Sequence, residues 1–340
     1  MYIIRSNRAR ILKNKKQIFL TALMLFSVIF SVNICINYLE PTYSQVQDTN
    51  TPFATIAFQS KASIIDNMSS QKVRVGDIEI AYKQLGKGDA EPIILITGLG
   101  ATMDMWSPLL LEQLTSSNYS VTIFDNRGAG ESTAGTKEFS IGQFANDTAG
   151  LLDALNITKV DVLGFSMGSF IAQELTLANP EKVDKLILYA SLCGGNESKR
   201  SSPEVDRAFS NPPKSPQEQL QKTIPLFFPT NWFNANPNYT NYLPIPKELV
   251  SLDVMGKQAN AAVKWAQTGS CNTISNISQP TLIIVGSDDL FTQADNSLIL
   301  AQRISGSWLV QIGNAGHGLM YQYPDTFNRI ILTFLETNNS

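Results

Sequence analysis

Histidine is almost missing from this chain, with one among 340 residues, and cysteine occurs only three times. So few soft ligands exclude a His/Cys-rich metal cluster, and three cysteines exclude a disulfide framework. Cations are not in surplus either: 26 Lys and Arg face 29 Asp and Glu, a net charge of −3 that excludes the basic excess of a nucleic-acid binder. No internal repeat points to a solenoid. A hydrophobic content of 43% with 16% charge further excludes collagen-like, coiled-coil and wholly disordered chains.

The charge that is present is unevenly spread. Arg5, Arg8, Arg10, Lys13, Lys15 and Lys16 precede an uncharged apolar run at 18–39, and the first acid is Glu40. Such a run is long enough to cross a bilayer as a helix. The pattern predicts a basic cytoplasmic segment at 1–17, a transmembrane anchor or export signal at 18–39, and a flexible linker at 40–70. No clean pair of small residues follows the run, so an uncleaved anchor is the first reading and a cleaved signal the second. Either one carries the rest of the chain out of the cytoplasm. That remainder holds 20 cations (26 − 6) against 29 acids, a balance of −9 (20 − 29). Cys35 lies inside the apolar run. Cys193 and Cys271 remain, and in an oxidising space they could pair or stay as separate buried thiols.

From 71 to 338, apolar runs of strand length alternate with helical spacing. Segments 72–75 and 78–84 predict a hairpin about Gly76-Asp77. Strands are expected at 93–97, 119–124, 160–163, 185–189, 282–285 and 308–312, with helices between them such as 141–155 and 167–177. This alternation implies an α/β fold, a mainly parallel sheet flanked by helices. It breaks once, at 194–273, where nine of the 16 prolines crowd into 203–246 among Phe227, Phe228, Trp232, Phe233, Tyr239 and Tyr242. Such a segment cannot be a regular strand-helix unit. It reads as an inserted lid over the C-terminal edge of the sheet, with a purely structural excursion as the alternative.

Strand 160–163 runs into Gly164-Phe165-Ser166-Met167-Gly168 and then into helical spacing. A serine on so sharp a turn adopts a strained backbone that only small flanking residues tolerate, and its hydroxyl projects over the sheet edge. The hydroxyl is a poor nucleophile until a base takes its proton. His317, in the glycine-rich turn after the last strand, is expected at the same edge. An acid must then hold the imidazole, and strand 282–285 ends in Gly286-Ser287-Asp288-Asp289, which offers two. Either aspartate could instead cap the following helix. The backbone N–H of Met167, at a helix start, is placed to donate to a developing oxyanion.

On these residues, segment 73–335 resembles the α/β-hydrolase fold family, in its esterase-like serine hydrolase branch with a lid after the sixth strand. The resemblance implies Asp289 rather than Asp288, three residues after a strand-ending glycine, and a second oxyanion donor at the N–H of Leu99, after Gly98. Relatives usually carry His where this chain has Thr97. The run Asp125-Asn126-Arg127-Gly128-Ala129-Gly130-Glu131-Ser132 matches a motif that the family tends to carry after the fourth strand, with an implied structural role. The implied activity is cleavage of a carboxylic ester or similar acyl compound through an acyl-enzyme on Ser166. Acyltransferase, peracid-forming and carbon–carbon bond hydrolase chemistry are the alternatives on the same fold, and a membrane-tethered binding protein that lost activity is the non-enzymatic one. No metal or organic cofactor is implied. The expected partner is a small molecule with an apolar acyl or alcohol group, with membrane contact only through the N-terminal segment and no nucleic acid. The balance of −9 disfavours an anionic substrate.

Overall fold

The computed structural model describes residues 68–210, 226–244, 247 and 250–337. The expectations for 1–17, for 18–39 and for most of the 40–70 linker lie outside the described residues, as does part of the 194–273 insertion. Among the described residues no helix is long and apolar enough to cross a membrane.

The strands are β1 Gln71–Val75, β2 Ile78–Leu85, β3 Glu91–Ile96, β4 Tyr119–Phe124, β5 Val160–Phe165, β6 Val183–Tyr189, β7 Thr281–Gly286 and β8 Trp308–Ile312. They form one sheet in the order β1-β2-β4-β3-β5-β6-β7-β8. β1 pairs with β2 and β2 with β4 antiparallel, and every later pairing is parallel. β5 continues two residues past its expected end because the ladder holds through Gly164 and Phe165, which pair with Leu188 and Tyr189. The helices are α1 Pro108–Ser116, α2 Ile141–Ala154, α3 Met167–Ala178, α4 Pro203–Ser210, α5 Thr230–Ala235, α6 Leu252–Thr268, α7 Ala294–Arg303, α8 Leu319–Gln322 and α9 Pro324–Leu335.

Continuous apolar runs become strands covered on both faces because successive side chains point to opposite sides. Ile94 and Ile96 of β3 join one core with Phe144 of α2 and Ile171 of α3. Ile93 and Leu95 join the other, with Leu110 of α1 and Phe327 and Ile331 of α9. Each such side chain, fully buried, contributes about 1.5–3 kcal/mol. The helices start where the sequence caps them. Ser140 Oγ accepts from the N–H of Gln143 at 3.0 Å at the head of α2, and Ser251 Oγ from Val254 at 3.3 Å at the head of α6.

The eight-residue family-like run after β4 is a buried polar knot. Arg127 is 1% exposed, and its five N–H donors are all used: Nε and Nη2 on Asp147, Nη1 and Nη2 on Asp77, and Nη1 again on the carbonyl of Ala134. The Arg127 hydrogen bonds hold the Asp77 carboxyl far below the usual range.

The insertion leaves the sheet after β6 and returns before β7. At its neck Cys193 and Cys271 form a disulfide, with their Cα atoms 4.8 Å apart. The carbonyl of Cys193 also accepts from the N–H groups of Ser270 and Cys271 at 2.7 and 3.1 Å. The parallel order puts the loops after β3, β5, β7 and β8 at one edge, and strand order reverses between β3 and β5. Open α/β sheets bind ligands at such a switch point.

Candidate active site

Ser166 follows β5 directly and caps α3 with φ 53° and ψ −121°. For a side chain with a Cβ this is a strained backbone, which the surrounding fold must hold in place. The local sequence allows it because a Cβ on Gly168 would collide with the carbonyl of Ile96, and one on Gly164 with the carbonyl of Gly168. The turn is further fixed from both sides. Ser166 donates its N–H to the carbonyl of Tyr189 at 3.0 Å, and Ser169 Oγ donates to the carbonyl of Ser166 at 2.6 Å.

His317, 4% exposed, stands after β8 with its ring between the two other candidates. Its Nε2 lies 3.1 Å from Ser166 Oγ, and its Nδ1 lies 2.8 Å from Asp289 Oδ2. A carboxylate can only accept, so Nδ1 carries the proton and Nε2 is left with the lone pair that faces the serine hydroxyl. Asp289, 3% exposed, is chosen over its neighbour by burial; Asp288 is exposed and, among the described residues, its carboxylate accepts only from Ser287 Oγ. Asp289 also serves the capping role open to it, because Oδ1 accepts from the N–H groups of Phe291 and Thr292 and Oδ2 from Thr292 Oγ1. Burial pushes its carboxyl up, but the charge and hydrogen bond of His317, with the Thr292 donors, outweigh that and hold it below the ordinary range.

The imidazole is walled by aromatic rings. Those of Phe291, Phe165 and Phe227 have centroids 4.8, 5.1 and 5.7 Å away. Phe227 comes from the insertion, and its carbonyl accepts from the N–H of Gly318 at 3.0 Å, so insertion and histidine turn are joined by backbone. The buried Tyr189 hydroxyl grips the same turn, donating to the carbonyl of His317 at 2.6 Å and accepting from the N–H of Met320 at 3.2 Å.

The expected oxyanion donors follow the adjacent strands β3 and β5, Leu99 in the loop after the first and Met167 at the head of α3. Gly98 packs so closely that a Cβ there would meet Ser166 Cβ at 3.2 Å, which brings Leu99 beside the nucleophile turn. Neither the N–H of Leu99 nor that of Met167 donates to another group among the described residues. Thr97, in place of the usual histidine, is 2% exposed and takes a hydrogen bond from Asn126 Nδ2 on both its hydroxyl and its carbonyl at 3.3 Å. The loop is anchored further on, where the N–H of Gly100 donates to Gln258 Oε1 of α6 at 2.8 Å and that of Met103 to Asp125 Oδ1 at 2.7 Å. Sequence reasoning missed Gln258 and Tyr189, since contacts across 158 and 131 residues leave no periodic trace. Among the described residues no group of three His, Cys, Asp or Glu side chains could hold a metal.

A cavity of about 510 Å³ opens on Ser166, with Leu99, Met167, Phe170, Val263 and Phe291 among its walls. A serine, an imidazole and a buried carboxylate in one hydrogen-bonded line beside two free amides can activate a hydroxyl and receive a negative oxygen.

The family model of the alpha/beta hydrolase fold matches residues 91–233. The chain is 29% identical over 284 residues to a 2-hydroxy-6-oxononadienedioate/2-hydroxy-6-oxononatrienedioate hydrolase of Pseudomonas putida, covering 78% of this chain and 95% of the relative. Among solved structures it is similar to an alpha/beta hydrolase fold protein from Chitinophaga pinensis, with a TM-score of 0.68, 26% identity and coverage of 80% and 98%. It is also similar to the enol-lactonase from Burkholderia xenovorans LB400, with a TM-score of 0.65, 25% identity and coverage of 78% and 100%. Sheet order, the turn at Ser166 and these likenesses agree: the chain has the α/β-hydrolase fold and is a hydrolase similar to members of that family.

Proposed function

We propose that the protein hydrolyses a carboxylic ester or lactone with an apolar group through an acyl-enzyme on Ser166. Ser166 Oγ attacks the carbonyl carbon while His317 Nε2 takes its proton. The N–H groups of Leu99 and Met167 meet the oxyanion, each worth about 10²–10³ in rate. Asp289 holds the ring's tautomer and stabilises the imidazolium. The imidazolium returns the proton to the leaving alcohol, and a water deprotonated by His317 then attacks the acyl-enzyme and frees the acid. The observation that carries this reading is the pair of distances across the His317 ring, 3.1 Å to the serine and 2.8 Å to the aspartate. Support for an ester bond over other bonds comes from the apolar walls of the cavity and from the likeness to an enol-lactonase.

The test is hydrolysis of a panel of esters, lactones and amides by the wild type and by Ser166→Ala. Esters or lactones are expected to be turned over fastest, with a loss of about 10⁴-fold or more in the variant. Equal turnover by a folded Ser166→Ala would reject the nucleophile.

We also infer that the hydrolase domain lies outside the cytoplasm, anchored by the 18–39 run. What supports this is the basic cluster ahead of that run and the Cys193–Cys271 disulfide, a bond that persists in oxidising compartments. Protease added to intact cells is expected to digest the domain; full protection of it would reject the inference.

A further inference from the structure

We infer that the substrate carries an anionic group, a carboxylate, at its end remote from the scissile carbonyl, and that Lys199 and Arg200 receive it. The inference rests on the acyl-transfer reading above and adds the chemistry of the substrate's far end. The cavity that begins at Ser166 reaches a rim containing both cations, and among the described residues no carboxylate lines it. Lys199 and Arg200 are exposed, and neither has an ion-pair partner among the described residues. The acid nearest to them in sequence, Glu197, is taken by Arg303 and is absent from the lining. The interior between Ser166 and this rim is mostly apolar.

Two exposed cations on a loop would mean little if the loop were free. Here its backbone is fastened from below. Asn296, 0% exposed, accepts from the N–H of Lys199 at 2.7 Å and donates to its carbonyl at 2.9 Å. Gln293 Nε2 donates to the carbonyl of Arg200 at 2.6 Å, and the N–H of Ser202 donates to the carbonyl of Leu290 at 2.8 Å. A buried asparagine is spent wholly on holding an exposed residue's main chain. The fastening points lie directly after Asp289 in the chain, so the cations are held in register with the acid of the site.

The overall balance of −9 in the exported part does not oppose this. Charges beyond about 8 Å are screened at physiological salt, so the local pair sets the potential at the rim. A ligand that is apolar along its length and negative at its tip matches the cavity, whereas an uncharged tip offers the two cations no counter-charge.

The test compares kcat/KM on two matched pairs of esters. In the first pair the p-nitrophenyl monoester of adipic acid is set against its neutral carboxamide. In the second the acetate ester of 6-hydroxyhexanoate is set against its carboxamide, so that the acyl and alcohol sides are both probed. In at least one pair the wild type is expected to prefer the carboxylate about fivefold or more. The Lys199→Gln/Arg200→Gln variant should bring that ratio to about one, and Lys199→Glu/Arg200→Glu should reverse it. A wild-type ratio of one in both pairs, or a preference unchanged in both variants, overturns the inference and leaves the acyl-transfer reading standing. Carboxamide esters turned over no faster than by Ser166→Ala would remove that reading, and this inference with it.

Discussion

Two aspartates lie buried near opposite edges of the same sheet and titrate in opposite directions. Asp289, beyond the C-terminal end of β7, is held below its ordinary range. Asp161, near the start of β5, is pushed up to about 7, chiefly by burial, with Lys185 pulling the other way and Asp184 adding to the rise. Their exposures are similar, 3% and 5%. Burial alone therefore does not distinguish a working carboxylate from an incidental one. The difference is in the partners: Asp289 faces an imidazole and three further donors, whereas Asp161 has one backbone N–H, from Lys185, at 3.0 Å. A carboxylate kept charged in a buried place by a titratable partner is the one the proposed mechanism uses.

The widest gap between the two should come from removing each charge in turn. Asp289→Asn keeps the size but frees the wrong ring tautomer, and kcat is expected to fall by about 10⁴-fold with the fold intact, read on a neutral ester. Asp161→Asn should leave kcat within experimental error; a comparable fall there would erase the distinction.

The neck of the insertion provides the next contrast. Cys193→Ala/Cys271→Ala opens a loop of 78 residues between β6 and β7 and is expected to cost about 2–4 kcal/mol, read as a lower Tm. Identical melting of the oxidised, reduced and substituted proteins would mean that the bond holds nothing in place.

The smallest effect belongs to Asp161 itself. Its folded pKa is raised above the unfolded value of 3.8, so the fold prefers the neutral carboxyl and loses stability as pH rises from about 4 towards 7. The full penalty stands above pH 7. Asp161→Asn should thus raise Tm by a few degrees at pH 8 and by nothing at pH 4. A gain at pH 4 as large as at pH 8 would contradict this assignment.

What could be read from the chain follows the same division. Strands 119–124 and 308–312 occur with their expected bounds because both are short apolar runs closed by turn residues, and Ser166 was visible because its strained turn demands glycines on either side. The choice of Asp289 over Asp288 needed a family pattern, since one residue's difference in burial leaves no periodic signal. Thr97 read as a departure; in three dimensions it ties the oxyanion loop to Asn126, a partner 29 residues away. Lys199 and Arg200 were invisible for another reason. Net charge averages over the whole surface, and a local pair of cations on an irregular loop disappears into a sum of −9. Irregular chain, held by contacts distant in sequence, is where pattern reading stops.

The central claim is that the Ser166 hydroxyl is activated by the one imidazole of the chain. Labelling with a fluorophosphonate, followed by peptide mapping, tests it most directly. The account predicts a covalent adduct on Ser166 in the wild type, none in Ser166→Ala and labelling slowed by at least about 10³-fold in His317→Ala. An adduct elsewhere, or labelling of Ser166 at the wild-type rate without His317, would contradict it.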